Sequence, residues 1–548
     1  MHQSQGLTLS AKLSPNITRS AVAGVAVLAA LVLGVGVIAG LRSLNGGSDA
    51  SPVDQGGATN ASGAPSEPAA KVCGSDTLDG PTSPPDGART VTPEESLTEA
   101  VHESPANTTF WLAPGQHQLG SGQYDQVTPK DGDTFVGAPD AVLDGRHVNR
   151  YAFGGHATEV TIEHLTIQNF GKPETGNNEG VVNHDTGHDW VIRHNSIRRN
   201  AGAGVMIGDG SVVEHNCLSS NGQYGFSAYE PDGVDDVVVS HNEIVGNNAD
   251  DWEKLNEGCG CTGGGKFWVT RGAEITENWI HDNRGPGIWA DTNNTQFLIK
   301  GNDISDNDSE GLIYEISYNA KIVDNVFARN GLVRGPAYDG FPVPALYISE
   351  SGSDPRAGAK YGEYFEIADN LFVDNWSALI AWESADRFAG SPANTSTGVS
   401  TLVNPDVATV RNCRDPDKIK KKPYYDDCRW KTKNLSVHDN TFKFDPGHIG
   451  SACTPEAGCG YVGLISAYGT YPDWSPYKKM VVADRITFDQ HNAWSSNRYL
   501  GPWRFMIHDL WNAVSWVTWR SKPYNQDENS TLSRHQLQMT TGRESGNE

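Results

Sequence analysis

Apolar residues run through the middle of this chain one at a time, at fixed offsets from asparagine. Asn278-Trp-Ile280-His-Asp-Asn283 returns as Asn302-Asp-Ile304-Ser-Asp-Asn307. Stacking every copy gives columns. The first Asn stands at Asn195, Asn216, Asn242, Asn278, Asn302, Asn325, Asn370 and Asn440, with Leu165 and Asp484 in its place at the ends. Three residues before it lies an aliphatic residue, from Ile162 and Ile192 to Val437 and Val481. Two residues after it lies another apolar residue: Ile167, Ile197, Leu218, Ile244, Ile280, Ile304, Phe327, Phe372, Phe442 and Ile486. A second Asn follows at five residues, from Asn200 to Asn375. A last apolar column is Val205, Phe226, Phe267, Ile288, Leu312, Leu346 and Leu379.

A helical solenoid would need amphipathic runs of ten or more residues between turns. Here apolar positions alternate or stand singly, and turn residues interrupt them every few positions, which reads as short strand, turn, short strand. A repeat of roughly 21–26 residues holding three such strands predicts an all-β, parallel β-helix of about ten coils. Aliphatic columns fill its interior. Asn columns sit at the bends, tolerate left-handed backbone and bond amide to amide along the stack. These asparagines are therefore structural. Longer spacings mark insertions over 248–264, 331–344 and 384–433, which should flank the strand that carries Val205 to Leu379. Short helices should close the two ends. Thr92, Pro93 and Glu95 supply start signals for one over 92–101, and the aromatic run 505–519 reads as the other.

The rest of the chain changes the picture at its edges. Residues 21–41 are uncharged and long enough for a membrane-spanning helix. A cleaved signal peptide is the alternative, with a normally shorter apolar core. Lys12 and Arg19 before the span favour a cytoplasmic 1–20 and an exported body. Residues 42–70 lack apolar side chains to bury and read as a linker. The solenoid and its caps then occupy 71–520, followed by a disordered tail over 521–548. The expected location is the cell membrane, single-pass, with the main domain outside, or secretion after cleavage. The net charge of −25 argues against nucleic acid as a partner. Eight cysteines in an exported body read as disulfides, with Cys413 near Cys428 and Cys453 near Cys459. Cys259-Gly-Cys261 has no second pair at finger spacing, so metal is not assigned there.

The candidate chemistry lies on the strand between the Asn phrases. If Ile288 and Ala290 point inward, Trp289 and Asp291 point outward. The same alternation turns Trp268 outward on the coil before, with Arg271 and Lys266 nearby. It turns Ile313 and Glu315 outward on the coil after, then Tyr347 and Ser349, then Ile380 and Trp382, with Glu350 and Glu383 one step further along. An aromatic patch of Trp268, Trp289, Tyr347 and Trp382 thus lies beside the acid pair Asp291 and Glu315. Aromatic faces with adjacent carboxylates suit sugar rings. Acids one coil apart should not both ionise easily. Their spacing matches a retaining glycosidase pair. In a lyase reading, Arg271 or Lys266 would act as base or neutralise a uronate. The competing reading has the aromatics filling space beneath the insertions and the acids pairing with Arg271 and Lys266. A column of His164, His194, His215 and His241 directly precedes the first Asn. Stacked imidazoles have metal-binding chemistry, but a polar ladder is the plainer reading. No metal or cofactor is assigned.

The stretches "GGGKFWVTRGAEITENWIHDNRGPGIWADTNN", "GLIYEISYNAKIVDNVF" and "TFWLAPGQHQL" resemble exported bacterial right-handed parallel β-helix repeat proteins of the pectate-lyase-like superfamily. The resemblance covers roughly 90–490 and implies a carbohydrate context. The calcium-aspartate and arginine set of pectate lyases has no match here, nor has the Tyr-Gly-x-Asp-Pro-His motif of mannuronan epimerases. The expectation is a polysaccharide partner, bound and then cleaved or modified by a lyase or glycosidase. The alternative is a non-catalytic binding or structural module.

Overall fold

A computed structural model describes residues 70–172, 180–256, 260–338, 340–358, 360, 362, 364–385, 387, 407–413, 415–418, 421–467 and 481–534. The apolar segment 21–41, nearly all of the linker and the tail beyond 534 lie outside them. Among the described residues no helix is long and apolar enough to cross a membrane.

Three parallel sheets wrap around one interior. Sheet A has 15 strands and runs from Arg89–Val91 to Ala493–Ser495; sheet B has 13, from Gly115–Gln118 to Thr531–Ser533; sheet C has 11, from Gly180–Val182 to the antiparallel Ala513–Val514. Each coil contributes one strand to a sheet and hydrogen-bonds to the next coil. Ile280, Ile304 and Phe327 are successive register partners in sheet B, all 0% exposed. Further along, Phe327, Phe372, Phe442 and Tyr499 stack with centroids 4.9, 4.7 and 4.8 Å apart. The asparagines form the expected ladders. Asn278 donates from its backbone N–H and its Nδ2 to Asn302 Oδ1, at 3.0 and 2.9 Å. Each such side chain closes a bend and satisfies a backbone amide that the turn would otherwise strand.

Several boundaries differ from the sequence reading. The stack is longer than ten coils, since sheet B alone holds 13 strands. The coil assigned to Val481, Asp484 and Ile486 is not one: Val481–Asp484 is helical. Its place is taken by Trp494, Asn497 and Tyr499, register partners of the preceding coil, where Trp494 enters the aliphatic column and Tyr499 continues the phenylalanine stack. Phe267 does not stack on Phe226; Gly265 does, and Phe267 pairs with Ala228 and Ala290. The Phe226 ring fills the space above Gly265, where a Cβ would meet it at 2.3 Å, so large and small residues alternate to keep the core full.

The first helix is Leu97–Glu103, capped by Ser96, whose hydroxyl accepts from Glu99 N–H. Glu95 is instead paired with Arg89. Residues 504–509 form a strand rather than a helix, and only Trp516–Arg520 is helical. The ordered chain continues past 520: Asp527 is fully buried and accepts from Asn497, Tyr499, Trp519 and Ser530 at 2.7–2.9 Å. Those four donors hold the final strand on the stack.

Cys413–Cys428 and Cys453–Cys459 are bonded, and a third disulfide joins Cys73 to Cys217. This last bond fixes the segment before the first coil against the flank. Glu243 accepts from the N–H groups of Val72 and Cys73 at 2.8 and 2.7 Å. Further on, Leu78 O lies 3.2 Å from His164 Nδ1, and Trp111 Nε1 donates to Pro81 O. The segment therefore lies along the corner between sheets A and B. That corner carries the histidine column, with successive centroids 5.1, 5.1 and 4.7 Å apart. Burial and mutual repulsion lower the His194 and His215 pKa values.

Candidate functional site

The outer face of sheet C carries the candidate residues in the register their alternation requires. Trp268, Asp291, Glu315, Ser349 and Trp382 are successive partners, as are Lys266, Trp289, Ile313, Tyr347 and Ile380. Asp291 and Glu315 end their strands, immediately before the corner into sheet A. A polar ladder fixes that corner: Asn294 accepts from Thr270 N–H, Ser317 from Asn294 N–H, and Ser351 from Ser317 N–H.

The backbone there is strained. Val269, Thr292 and Ile316 take φ of 52°, 49° and 45° on three successive coils, followed by Glu350 at 44°. β-Branched residues avoid this left-handed region, at a cost on the order of 1–3 kcal/mol each. The histidine corner uses the same geometry with residues that tolerate it better. Such strain persists only where the surroundings over-determine it, and it clusters at functional sites.

The two acids sit in different surroundings. Asp291 is 4% exposed; Lys266 Nζ lies 3.0 Å from its Oδ2, and Thr292 Oγ1 donates to its Oδ1 at 2.9 Å. Lys266 also donates to Gly260 O at 2.9 Å and stands 4.1 Å above the Trp289 ring. Glu315 accepts from Trp289 Nε1 at 3.2 Å and pairs with Arg387 Nη1 at 2.5 Å. The same Arg387 atom lies 2.8 Å from the fully buried Glu350. Burial pushes the Glu315 carboxyl above its ordinary range; Arg387 opposes this, while the charges of Asp291 and Glu350 reinforce it. Burial likewise raises the Tyr347 phenol well above its usual value.

The aromatic patch is not one open surface. Trp289 and Trp382 are 6% and 5% exposed. Tyr347 and Trp382 pack edge-on against Phe341 of the second insertion, at 6.1 and 5.7 Å. That part of the face follows the space-filling alternative. Trp268 and Tyr347 are half-buried. Arg271 does not join the acids. After the bend at Val269 it belongs to sheet A, where its guanidinium holds Asp235 at 2.5 and 2.8 Å. Lys266 does join them, as the partner of Asp291.

Arg387 escaped the sequence reading. It lies just past the strand Ser377–Ser384, at the start of an insertion, where column alignment gives no signal. Glu383 lies in no part of this site: it forms a separate buried pair with Arg429 at 3.0 Å. Among the described residues no group of three or more His, Cys, Asp or Glu side chains is arranged to hold a metal ion.

Three sheets of in-register parallel strands around one core define the class: a right-handed parallel β-helix. Residues 179–391 match the family model described as right handed beta helix region. No curated protein matches the chain. Solved structures similar to it include the catalytic unit of a GH87 alpha-1,3-glucanase from Streptomyces thermodiastaticus, at 12% identity and a TM-score of 0.43, covering 82% of this chain and 70% of that one. Another is the periplasmic alginate epimerase AlgG, at 10% identity and 0.37, covering 81% and 82%. A third is the A-module of the Azotobacter vinelandii mannuronan C-5 epimerase AlgE4, at 15% identity and 0.37, covering 55% and 87%. At such identities the likeness is one of fold alone.

Proposed function

We propose that this β-helix acts on a polysaccharide at the outer face of sheet C, with Asp291 and Glu315 as its catalytic pair. The carrying observation is that two carboxylates, paired in register on neighbouring coils, meet different partners at a strained corner. Their strands are about 4.8 Å apart, close to the separation of a retaining glycosidase pair. Glu315, with its raised pKa, is the acid that protonates the glycosidic oxygen. Asp291, ion-paired with Lys266, is the nucleophile. Trp289 orients Glu315 through its indole N–H. Arg387 must leave Glu315 or shift toward Glu350 as substrate enters, because a carboxyl held by a guanidinium is a poor proton donor.

The test is a screen of the protein against neutral and uronic polysaccharides, reading reducing ends and unsaturated products together. Asp291→Asn and Glu315→Gln should each lower turnover by about 10²–10⁴-fold. Activity that survives both substitutions removes the pair from the mechanism. The second reading is a non-catalytic binding module, favoured by the burial of Trp289 and Trp382; retention of a polymer without any product would support it. The three disulfides favour an oxidising compartment. We place the β-helix outside the cell, tethered through residues 21–41; recovery in the soluble fraction after cell lysis would refute the tether.

A further inference from the structure

The outward column that carries Trp268 and Asp291 does not begin at Trp268. On the preceding coil Ala228 pairs with Phe267, and the next residue, Tyr229, stands beside Trp268. The Tyr229 ring lies 5.1 Å from the Trp268 ring, tilted by 32°, and the residue is 41% exposed. Trp289 and Trp382, nearer the acids, are buried, whereas Tyr229 is exposed and Trp268 half-buried. The Trp268 indole N–H is itself buried, with no acceptor among the described residues. An exposed phenol ring and a half-buried indole lie together, one coil from Asp291.

The charge around this platform is one-sided. Glu230 follows Tyr229 directly, and Asp232 comes two residues later. Asp209, Asp235 and Asp236 act on the guanidinium of Arg271, which already holds Asp235 in two contacts. His188 lies 3.9 Å from Glu230. Lys266, on the same strand as Trp268, is buried and pairs with Asp291. Both of these cations, Arg271 and Lys266, are already paired with carboxylates, so the one carboxylate per ring of a uronic polymer would meet like charge at this rim and be repelled. Ring stacking on an aromatic pair needs no such charge.

We infer that Tyr229 and Trp268 form a pyranose-binding subsite beside Asp291, and that the polysaccharide it takes carries no carboxylates. The inference rests on the proposed function and names its substrate class. The full chain is titrated with neutral hexose and pentose oligosaccharides, chitosan oligomers, oligogalacturonate and oligoalginate, following tryptophan fluorescence and heat. The chitosan arm separates recognition of ammonium groups from recognition of neutral hydroxyls. Binding is expected from at least one carboxylate-free series. Tyr229→Ala should weaken it about tenfold, the equivalent of one stacked ring, and Tyr229→Phe should restore most of it. Neutralising the rim with Glu230→Gln and Asp232→Asn should raise the affinity for oligogalacturonate. Tyr229 is exposed, so its loss leaves the core intact. Tighter binding of a uronic series by the wild type overturns the inference. So does a ligand whose turnover depends on Asp291 and Glu315 yet ignores Tyr229→Ala and Trp268→Ala; the proposed function survives both results. Binding of nothing in the panel removes the proposed function and this inference with it.

Discussion

Asn302→Ala measures what an asparagine ladder contributes. The side chain is 1% exposed and takes part in five hydrogen bonds. Its Oδ1 accepts from Asn278 N–H and Nδ2, and its Nδ2 donates to Ile275 O, Lys300 O and Asn325 Oδ1. Most partners keep a second bond after truncation: Asn278 Nδ2 still reaches Val239 O, and Asn325 Oδ1 still accepts the backbone N–H of residue 302. Asn278 N–H alone is left stranded in a buried bend. One stranded amide costs about 1–3 kcal/mol, and each other lost bond about 0.5–1.5. Partial relaxation brings the total to roughly 3–5 kcal/mol. Asn375, which ends its ladder and donates only to Phe327 O, should cost less. Urea unfolding by tryptophan fluorescence gives the loss. Because a stack of coils need not unfold as one unit, hydrogen exchange of the neighbouring coils should localise it. A loss below about 1 kcal/mol, or equal losses at Asn302 and Asn375, would refute the ladder account.

Other predictions follow from buried charge and covalent links. Arg429→Met leaves Glu383 buried with only Gln490 Nε2 at 2.7 Å and Thr432 N–H at 3.2 Å, and should destabilise by about 3–5 kcal/mol in the same urea assay. Burial pushes the Asp354 carboxyl up, but hydrogen bonds from Arg356 and Lys433 outweigh it and hold the pKa well below the usual range. Its stabilisation is complete above the unfolded value of about 3.9 and fades as pH falls below it. The Tm gap between wild type and Asp354→Asn should therefore stay constant from about pH 8 to 5 and narrow towards pH 3; a gap that does not narrow refutes the pairing. Cys73→Ser opens a loop of 144 residues and should lower stability by up to about 4–5 kcal/mol in non-reducing buffer, with little effect once reductant is present.

The columns were legible because every coil repeats the same demand on the same residue. Ile280, Ile304 and Phe327 fall in line inside, and the outward order Trp268, Asp291, Glu315 follows from alternation alone. What failed was whatever broke the repeat. Phe267 shifted by two positions because Gly265 makes room for the Phe226 ring, a volume exchange that an aliphatic column does not reveal. The last full coil placed Trp494 in the aliphatic column and Tyr499 on Phe442. At the site, alternation told which side chains leave the core but not what covers them. Phe341 and Arg387 come from insertions, whose conformations are set by tertiary contacts rather than by any period. Arg271 was misplaced because the bend at Val269 ends one sheet and begins another within two residues.

The Cys73–Cys217 link decides where mechanical load enters the molecule. A pull on the chain upstream of residue 70 cannot peel the first coil from the end of the stack. It passes through the sulfur bridge into a strand that has other coils on both sides. There the force runs across many inter-coil hydrogen bonds at once instead of opening them singly. The coils between Arg89 and Cys217 lie inside a closed covalent loop and carry none of the tension. A body held out by its N-terminal end would thus meet drag with its middle, while its leading coils stay slack.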